Sequence, residues 1–165
     1  LSGDLGYRDE AGYFYFAGRS GDRLRVDGEN FSGAPIERII GRYPDAQLAA
    51  VYPVPDEISG DQVMLALQMV DGRAFDPVGF GRFLDAQADL GTKWAPRYVR
   101  IVDTLPVTAT AKINKKELRK DAWRTEDPVY YRPGKDNEYH RLEPAHVEEL
   151  LRRFEDSGRK ELLNR

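Results

Sequence analysis

Two apolar runs, Gln47 to Val54 and Gln62 to Val70, constrain the fold more than any other feature of the chain. Each has strand length, and the polar loop Pro55 to Asp61 joins them. A helix signal precedes the pair. Pro35 suits a first helical turn, Ile36, Ile39, Ile40 and Tyr43 recur at i, i+3, i+4 and i+7, and Pro44 ends the pattern. After the pair, Asp76-Pro77 supplies an N-cap and a first-turn proline for a helix with Phe80, Phe83 and Leu84 on one face. Arg97 to Val102 reads as another strand, and Asn114 to Lys120 as a short basic helix. The order helix, strand, strand, helix, strand predicts an α+β fold, with a small sheet of about three strands flanked by helices.

The flanks differ from this centre. Gly12 to Phe16 is an aromatic strand that follows the turn Asp9-Glu10-Ala11-Gly12, and Asp22 to Val26 alternates polar and apolar. With Gly18-Arg19-Ser20-Gly21 as a flexible connector, these two runs predict a two-stranded hairpin ahead of the sheet. From Thr125 onward the pattern becomes an extended tail with an aromatic patch, Asp127 to Tyr131. An amphipathic helix follows from Glu143-Pro144, carrying Val147, Leu150, Leu151 and Phe154.

Composition removes several classes of function. A chain of 165 residues suits one domain and its edges, and 41% hydrophobic content allows a modest core. Net charge is −3 with no dominant basic stripe, which argues against nucleic acid as a partner. The absence of cysteine excludes disulfides, thiolate metal sites and cysteine nucleophiles. His140 and His146 lack ligand-like spacing to carboxylates, so no metal site is expected. No apolar run is long enough to span a bilayer, and the expected location is the cytoplasm. The amphipathic tail helix leaves peripheral contact with the inner face of a membrane open. The chain begins with Leu1 in dense sequence, which reads as a piece of a longer protein.

Four polar positions stand out as candidates for chemistry. Asp4 could accept hydrogen bonds from two sugar hydroxyls. Arg19 could grip a phosphate or a ribose oxygen. The loop around Gly28, Glu29 and Asn30 could let a slim ligand approach its backbone. Lys112 sits in the small-residue run Thr108 to Ala111, just ahead of the basic helix. Taken singly, each has an ordinary reading as a turn residue, a solvated charge or a loop.

Their order and spacing point further. Ser2-Gly3-Asp4-Leu5-Gly6-Tyr7 is followed by Asp9-Glu10-Ala11-Gly12-Tyr13, Gly18-Arg19, Asp22, Gly28-Glu29-Asn30 and Pro35-Ile36-Glu37. About seventy residues later comes Leu105-Pro106-Val107-Thr108-Ala109-Thr110-Ala111-Lys112. From Ser2 to about Arg119 this series resembles the C-terminal end of the adenylate-forming enzymes, the superfamily of acyl-CoA synthetases, adenylation domains and luciferases. Ala111 before Lys112, Asp22 to Ser32, Trp94 to Arg100 and the Asp-Pro-Val-Tyr tail resemble the fatty acid transport protein and very-long-chain acyl-CoA synthetase branch.

The resemblance implies a fatty-acid–CoA ligase. Such an enzyme joins a carboxylate to the α-phosphate of ATP, then passes the acyl group from the adenylate to the thiol of CoA. ATP and CoA are the implied substrates beside a long- or very-long-chain fatty acid. Mg2+ is expected to arrive with ATP and to be bound mainly by a larger N-terminal domain. The aspartate matching Asp4 holds ribose hydroxyls, and the arginine matching Arg19 holds ribose or phosphate. A hinge falls at Gly21 and Asp22. The loop Gly28-Glu29-Asn30 faces the channel for the pantetheine arm of CoA, and Lys112 is the lysine of adenylate formation. Lys115 and Lys116 are expected to be solvated helix charges.

The implied division is 1–21 as the end of the N-terminal domain and hinge, 22–124 as a mobile C-terminal domain, and 125–165 as an extension. Alone, the piece is expected to fold without turning over substrate. Two alternatives stand beside this reading: the corresponding subdomain of a peptide-synthetase adenylation domain, and a non-catalytic module that docks a partner through its tail.

Overall fold

The computed structural model describes residues 4–8, 10, 12–19, 23–58, 60–110 and 112–164. Gly21 and Asp22, the expected hinge, lie outside the described residues, as do the side chains of Asp4 and Arg19.

The chain opens with two antiparallel hairpins where one was expected. β1 (Asp4–Arg8) pairs with β2 (Phe14–Arg19), and β3 (Arg23–Val26) pairs with β4 (Glu29–Ser32). The aromatic run and the alternating run therefore belong to different sheets, and Gly18 and Arg19 are strand residues, not connector. The alternation in β3 is real: Leu24 and Val26 are buried, and Arg23 and Arg25 are exposed.

A five-stranded sheet forms the centre, in the order β5, β6, β7, β8, β9. β5 (Ala46–Pro55) and β6 (Asp61–Met69) are antiparallel, with Tyr52 opposite Met64. β7 (Tyr98–Val102) joins β6 in parallel, and α2 (Pro77–Asp85) lies in the crossover between them. The α2 N-cap is the expected one: the Asp76 carboxylate accepts from the Val78 backbone N–H at 3.1 Å.

Helices cover both faces of this sheet, which is why β5 and β6 read as continuous apolar runs. Val51, Val63, Leu65, Leu67 and Val99 face one side, where α1 (Ala34–Ile40) contributes Ile36 and Ile40 and α2 contributes Phe80 and Leu84. Ala50, Tyr52, Val54, Met64, Ala66 and Tyr98 face the other, against Leu118 of α3 (Lys115–Asp121), Trp123, and Phe154 of α4 (Pro144–Asp156).

The expected sheet of about three strands is thus extended to five by the tail. β8 (Val129–Tyr131) pairs with β7, and β9 (His140–Arg141) with β8. These strands are three and two residues long, too short to show a period in the sequence. The tail is also tied down by polar bonds. Arg132 is buried and donates to the carbonyls of Pro96, Ala95 and Lys135, and the Tyr139 hydroxyl donates to Pro96 O at 2.6 Å. The chain's last helical element is a 3-10 turn, Lys160–Asn164, whose Leu163 is buried in the same core as Phe154. No described helix is long and apolar enough to cross a membrane.

Candidate functional site

Lys112 stands on a tight loop whose two arms are closed by backbone bonds. Val107 and Ile113 form an isolated antiparallel bridge. The Thr108 N–H donates to Lys112 O at 2.7 Å, and the Asn114 N–H donates to Pro106 O at 2.7 Å. The Lys112 N–H in turn donates to Thr108 Oγ1 at 3.2 Å, and the Thr108 and Thr110 hydroxyls lie 3.0 Å apart. A run of small residues permits this narrow shape, and the threonines add side-chain bonds to the loop's own backbone. Lys112 itself is exposed.

The base of the loop is tied to the sheet and to α1. On the entering side, the Leu105 N–H donates to the Gln68 carboxamide oxygen of β6 at 3.0 Å. On the leaving side, Lys115 begins α3 and its ammonium lies 2.8 Å from Glu37 of α1. The same Glu37 oxygen accepts from the Val51 N–H of β5 at 2.7 Å. Both partners are largely covered, with side-chain exposures of 16% for Lys115 and 24% for Glu37. The expectation that Lys115 is a solvated charge is therefore wrong; Lys116 is exposed, as expected.

The far end of α3 is braced as well. Arg100 of β7 is buried, grips Asp127 through Nε and Nη2 at 2.7 Å each, and reaches Asp121 of α3 at 3.7 Å. Tyr52 packs in the same core, and burial pushes its phenol well above the ordinary range against the opposing pull of Arg100.

Gly28 occupies the second place of a two-residue hairpin turn. Val26 pairs with Glu29, and Asp27 and Gly28 take φ values of 47° and 82°. Two successive positive φ values fit the right-handed twist of a hairpin and favour Asp-Gly at these positions. The expected loop is thus a turn plus a strand, because Glu29 and Asn30 already belong to β4. Two contacts made by β4 help fix this hairpin on the body of the domain. Glu29 bonds Lys93 Nζ at 2.8 Å, which raises the lysine's pKa, and the ring of Phe31 lies 5.7 Å from that of Trp94. No hydrogen bond or ion pair joins Lys112 to Glu29 or Asn30 among the described residues.

Asp4 and Arg19 face one another in register across β1 and β2. His140 and His146 flank the ring of Tyr131, at 6.5 and 5.3 Å between centroids. No group of three or more His, Asp or Glu side chains that could hold a metal ion occurs among the described residues.

Glu37, Gln68 and Arg100 are the supports that sequence reasoning missed. Glu37 appears in the sequence only as part of the Pro35-Ile36-Glu37 helix start, and its partner lies 78 positions away. Nothing local announces such a pairing.

Residues 35–112 match the family model of the AMP-binding enzyme C-terminal domain. The steroid-22-oyl-CoA synthetase of Rhodococcus jostii is 48% identical over 164 residues, covering 99% of this chain and 30% of that protein. The medium/long-chain-fatty-acid–CoA ligase of Mycobacterium tuberculosis is 56% identical over 129 residues, covering 78% of this chain and 26% of that protein. The chain therefore spans less than a third of the length of these curated relatives. Among solved structures, ATP-bound MatB from Rhodopseudomonas palustris superposes with a TM-score of 0.62 at 31% identity, covering 73% of this chain and 24% of that one. An anthranilate–CoA ligase in complex with anthranoyl-AMP gives a TM-score of 0.63 at 29% identity, with the same two coverages. The chain belongs to the adenylate-forming family, of which it carries the AMP-binding enzyme C-terminal domain.

Proposed function

We propose that this chain is the mobile C-terminal part of an ATP-dependent acid–thiol ligase that activates a fatty acid or a similarly hydrophobic carboxylic acid. The observation that carries the reading is the Lys112 loop: a slim, self-bonded hairpin with an exposed ammonium, set on a base locked to the sheet and to α1. The relatives named for CoA ligation of fatty acids and for steroid-22-oyl-CoA support the substrate class.

The proposed reaction has two steps. The substrate carboxylate attacks the α-phosphate of ATP, and pyrophosphate leaves. The thiol of CoA then attacks the acyl carbon of the adenylate, and AMP leaves. Negative charge concentrates in the first step between two groups that are already anionic. Lys112 acts there as a point cation that stabilises the developing charge, with no proton transfer required.

Asp4 and Arg19 are assigned to ribose and phosphate oxygens, and Gly21-Asp22 to the hinge. The turn at Gly28, with Glu29 and Asn30, is assigned to the side of the pantetheine channel. Rotation about the hinge would present the Lys112 loop in the first step and the Gly28 turn in the second. The proposed organisation is 1–21, 22–124 and 125–165, within the fatty acid transport protein and very-long-chain acyl-CoA synthetase branch.

The test is AMP release by the full-length protein supplied with ATP, Mg2+, CoA and a long-chain acid. Acid-dependent AMP and acyl-CoA are expected in equal amounts. Release of neither, across a series of hydrophobic acids, overturns the reading.

A further inference from the structure

Six basic side chains from distant parts of the chain, Arg25, Lys116, Arg119, Lys120, Arg124 and Arg159, line one cleft of about 970 Å³. Asp61 and Glu117 are the two carboxylates in that lining. A threefold excess of cations over acids is unusual in a chain whose net charge is −3. The volume lies at the upper end of the range for clefts that take small molecules. Lys112 does not line it.

The cleft is held in shape by backbone. The Arg25 N–H donates to the Asp61 carboxylate at 3.1 Å. Gly60, with φ of 63°, lies so close that a Cβ there would sit 2.6 Å from Arg25 O, so β3 is pressed against the turn between β5 and β6. Arg159 Nε donates to Asp56 O at 3.0 Å, and Arg124 Nη2 donates to the carbonyls of Lys120 and Leu163. Carbonyls orient these two guanidinium groups, while the Asp61 carboxylate partly offsets Arg25, Arg119 and Arg159 and leaves Lys116, Lys120 and Arg124 as the remaining cations of the lining. Arg124 Nε is buried and has no hydrogen-bond partner among the described residues. Lys116 and Lys120 are exposed and form no ion pair among the described residues.

The rest of the lining narrows the ligand. Pro53, Pro55, Leu162 and Leu163 give it an aliphatic wall, and no described residue of the lining is aromatic. A nucleobase would find no ring to stack on, whereas an alkyl chain gains from any apolar surface it covers. Several convergent cations, guanidinium forks among them, suit the oxygens of a dianionic phosphate better than a single carboxylate.

We propose that this cleft binds the phosphate monoester headgroup of an amphiphile. The ligand is either a dissolved monomer or the headgroup of an acidic lipid in a bilayer, and the same contacts serve both. The proposal does not depend on the ligase reading, because binding is measured without turnover.

The experiment uses the full-length protein in two arms. One titrates lysophosphatidic acid below its critical micelle concentration. The other follows sedimentation with phosphatidylcholine vesicles containing or lacking phosphatidic acid. Binding in at least one arm is expected, weakened at least tenfold by the double substitution Arg25→Glu/Lys120→Glu and by raised salt. The milder pair Arg25→Gln/Lys120→Gln is expected to fall between, with unchanged thermal melting showing that the fold is intact. Binding in the first arm alone assigns the dissolved monomer, and in the second alone the bilayer headgroup. No binding in either arm overturns the proposal, as does equal affinity in wild type and the Glu variant. A matching fatty carboxylate or AMP bound through the same two residues as tightly as the phosphate amphiphile overturns it too.

Discussion

Lys112 and Lys115 lie three positions apart and live in opposite surroundings. Lys112 is exposed at the end of a loop that bonds mainly to itself. Lys115 is covered, and its ammonium meets a carboxylate that also holds the Val51 N–H of the central sheet. One cation is left exposed and the other is paired at the base of the loop. The difference teaches that the basic character of the segment Lys112 to Lys120 is not one property: its first lysine is exposed, and its second is paired with Glu37.

The largest expected effect tests the outward lysine. In the full-length protein, Lys112→Ala should slow adenylate formation by about 10²–10³, the usual loss when a transition-state charge contact is removed. Thioester formation from a supplied acyl-adenylate should be largely spared, and folding stability should not change. Pyrophosphate release and single-turnover transfer to CoA separate the two steps. Equal losses in both would erase the distinction between a catalytic Lys112 and a structural Lys115.

The covered lysine should behave in the opposite way. Lys115→Ala leaves the Glu37 carboxylate with the Val51 N–H alone, so stability should fall by about 1–3 kcal/mol. Urea unfolding reads this directly. Lys115→Arg keeps the charge and should recover most of the loss. Glu37→Gln, which can still accept from Val51, should cost less than Lys115→Ala. A Lys115→Ala variant with unchanged stability would mean the pair contributes nothing in solution.

The same contrast explains what the sequence disclosed. Local signals were legible: the helix from Pro35, the Asp76 cap, the apolar strands β5 and β6, and the small-residue loop before Lys112. Each is written in neighbouring residues, by period or by a turn residue. What escaped was written between distant residues. β9 is two residues long and exists only because β8 offers it an edge. β4 looked like loop, although Asp27-Gly28 is itself a hairpin signal, because the strand opens with the polar pair Glu29-Asn30. The basic cleft draws cations from positions 25, 116–124 and 159, so no stripe shows in the linear order. Glu37 and Lys115 likewise meet only through the fold.

A smaller effect is expected at the Gly28 turn, the second exposed device of the domain. Gly28→Ala meets no atom within 4 Å, so space is not the obstacle; the backbone is, at φ of 82°. An L-residue held in the left-handed region costs about 1–2 kcal/mol. Thermal unfolding should register a drop of that size, and Gly28→Asn should lose less, since Asn tolerates this region. If Ala and Asn proved equal, the turn would have relaxed to another type and the β3–β4 register would be in question.

Lys116 supplies the smallest expected change and the sharpest control. It lies next to Lys115, carries the same charge and is exposed on the first turn of α3. Its side chain has no ion-pair partner among the described residues, so Lys116→Ala removes no buried contact. Stability should stay within about 0.5 kcal/mol of wild type, the ordinary range for surface substitutions. Measured beside Lys115→Ala under the same urea titration, it isolates the Glu37 contact from the mere loss of a lysine. If the two variants lost equal stability, the cause would be helix propensity or net charge on α3, and the partition between outward and inward lysines would fail.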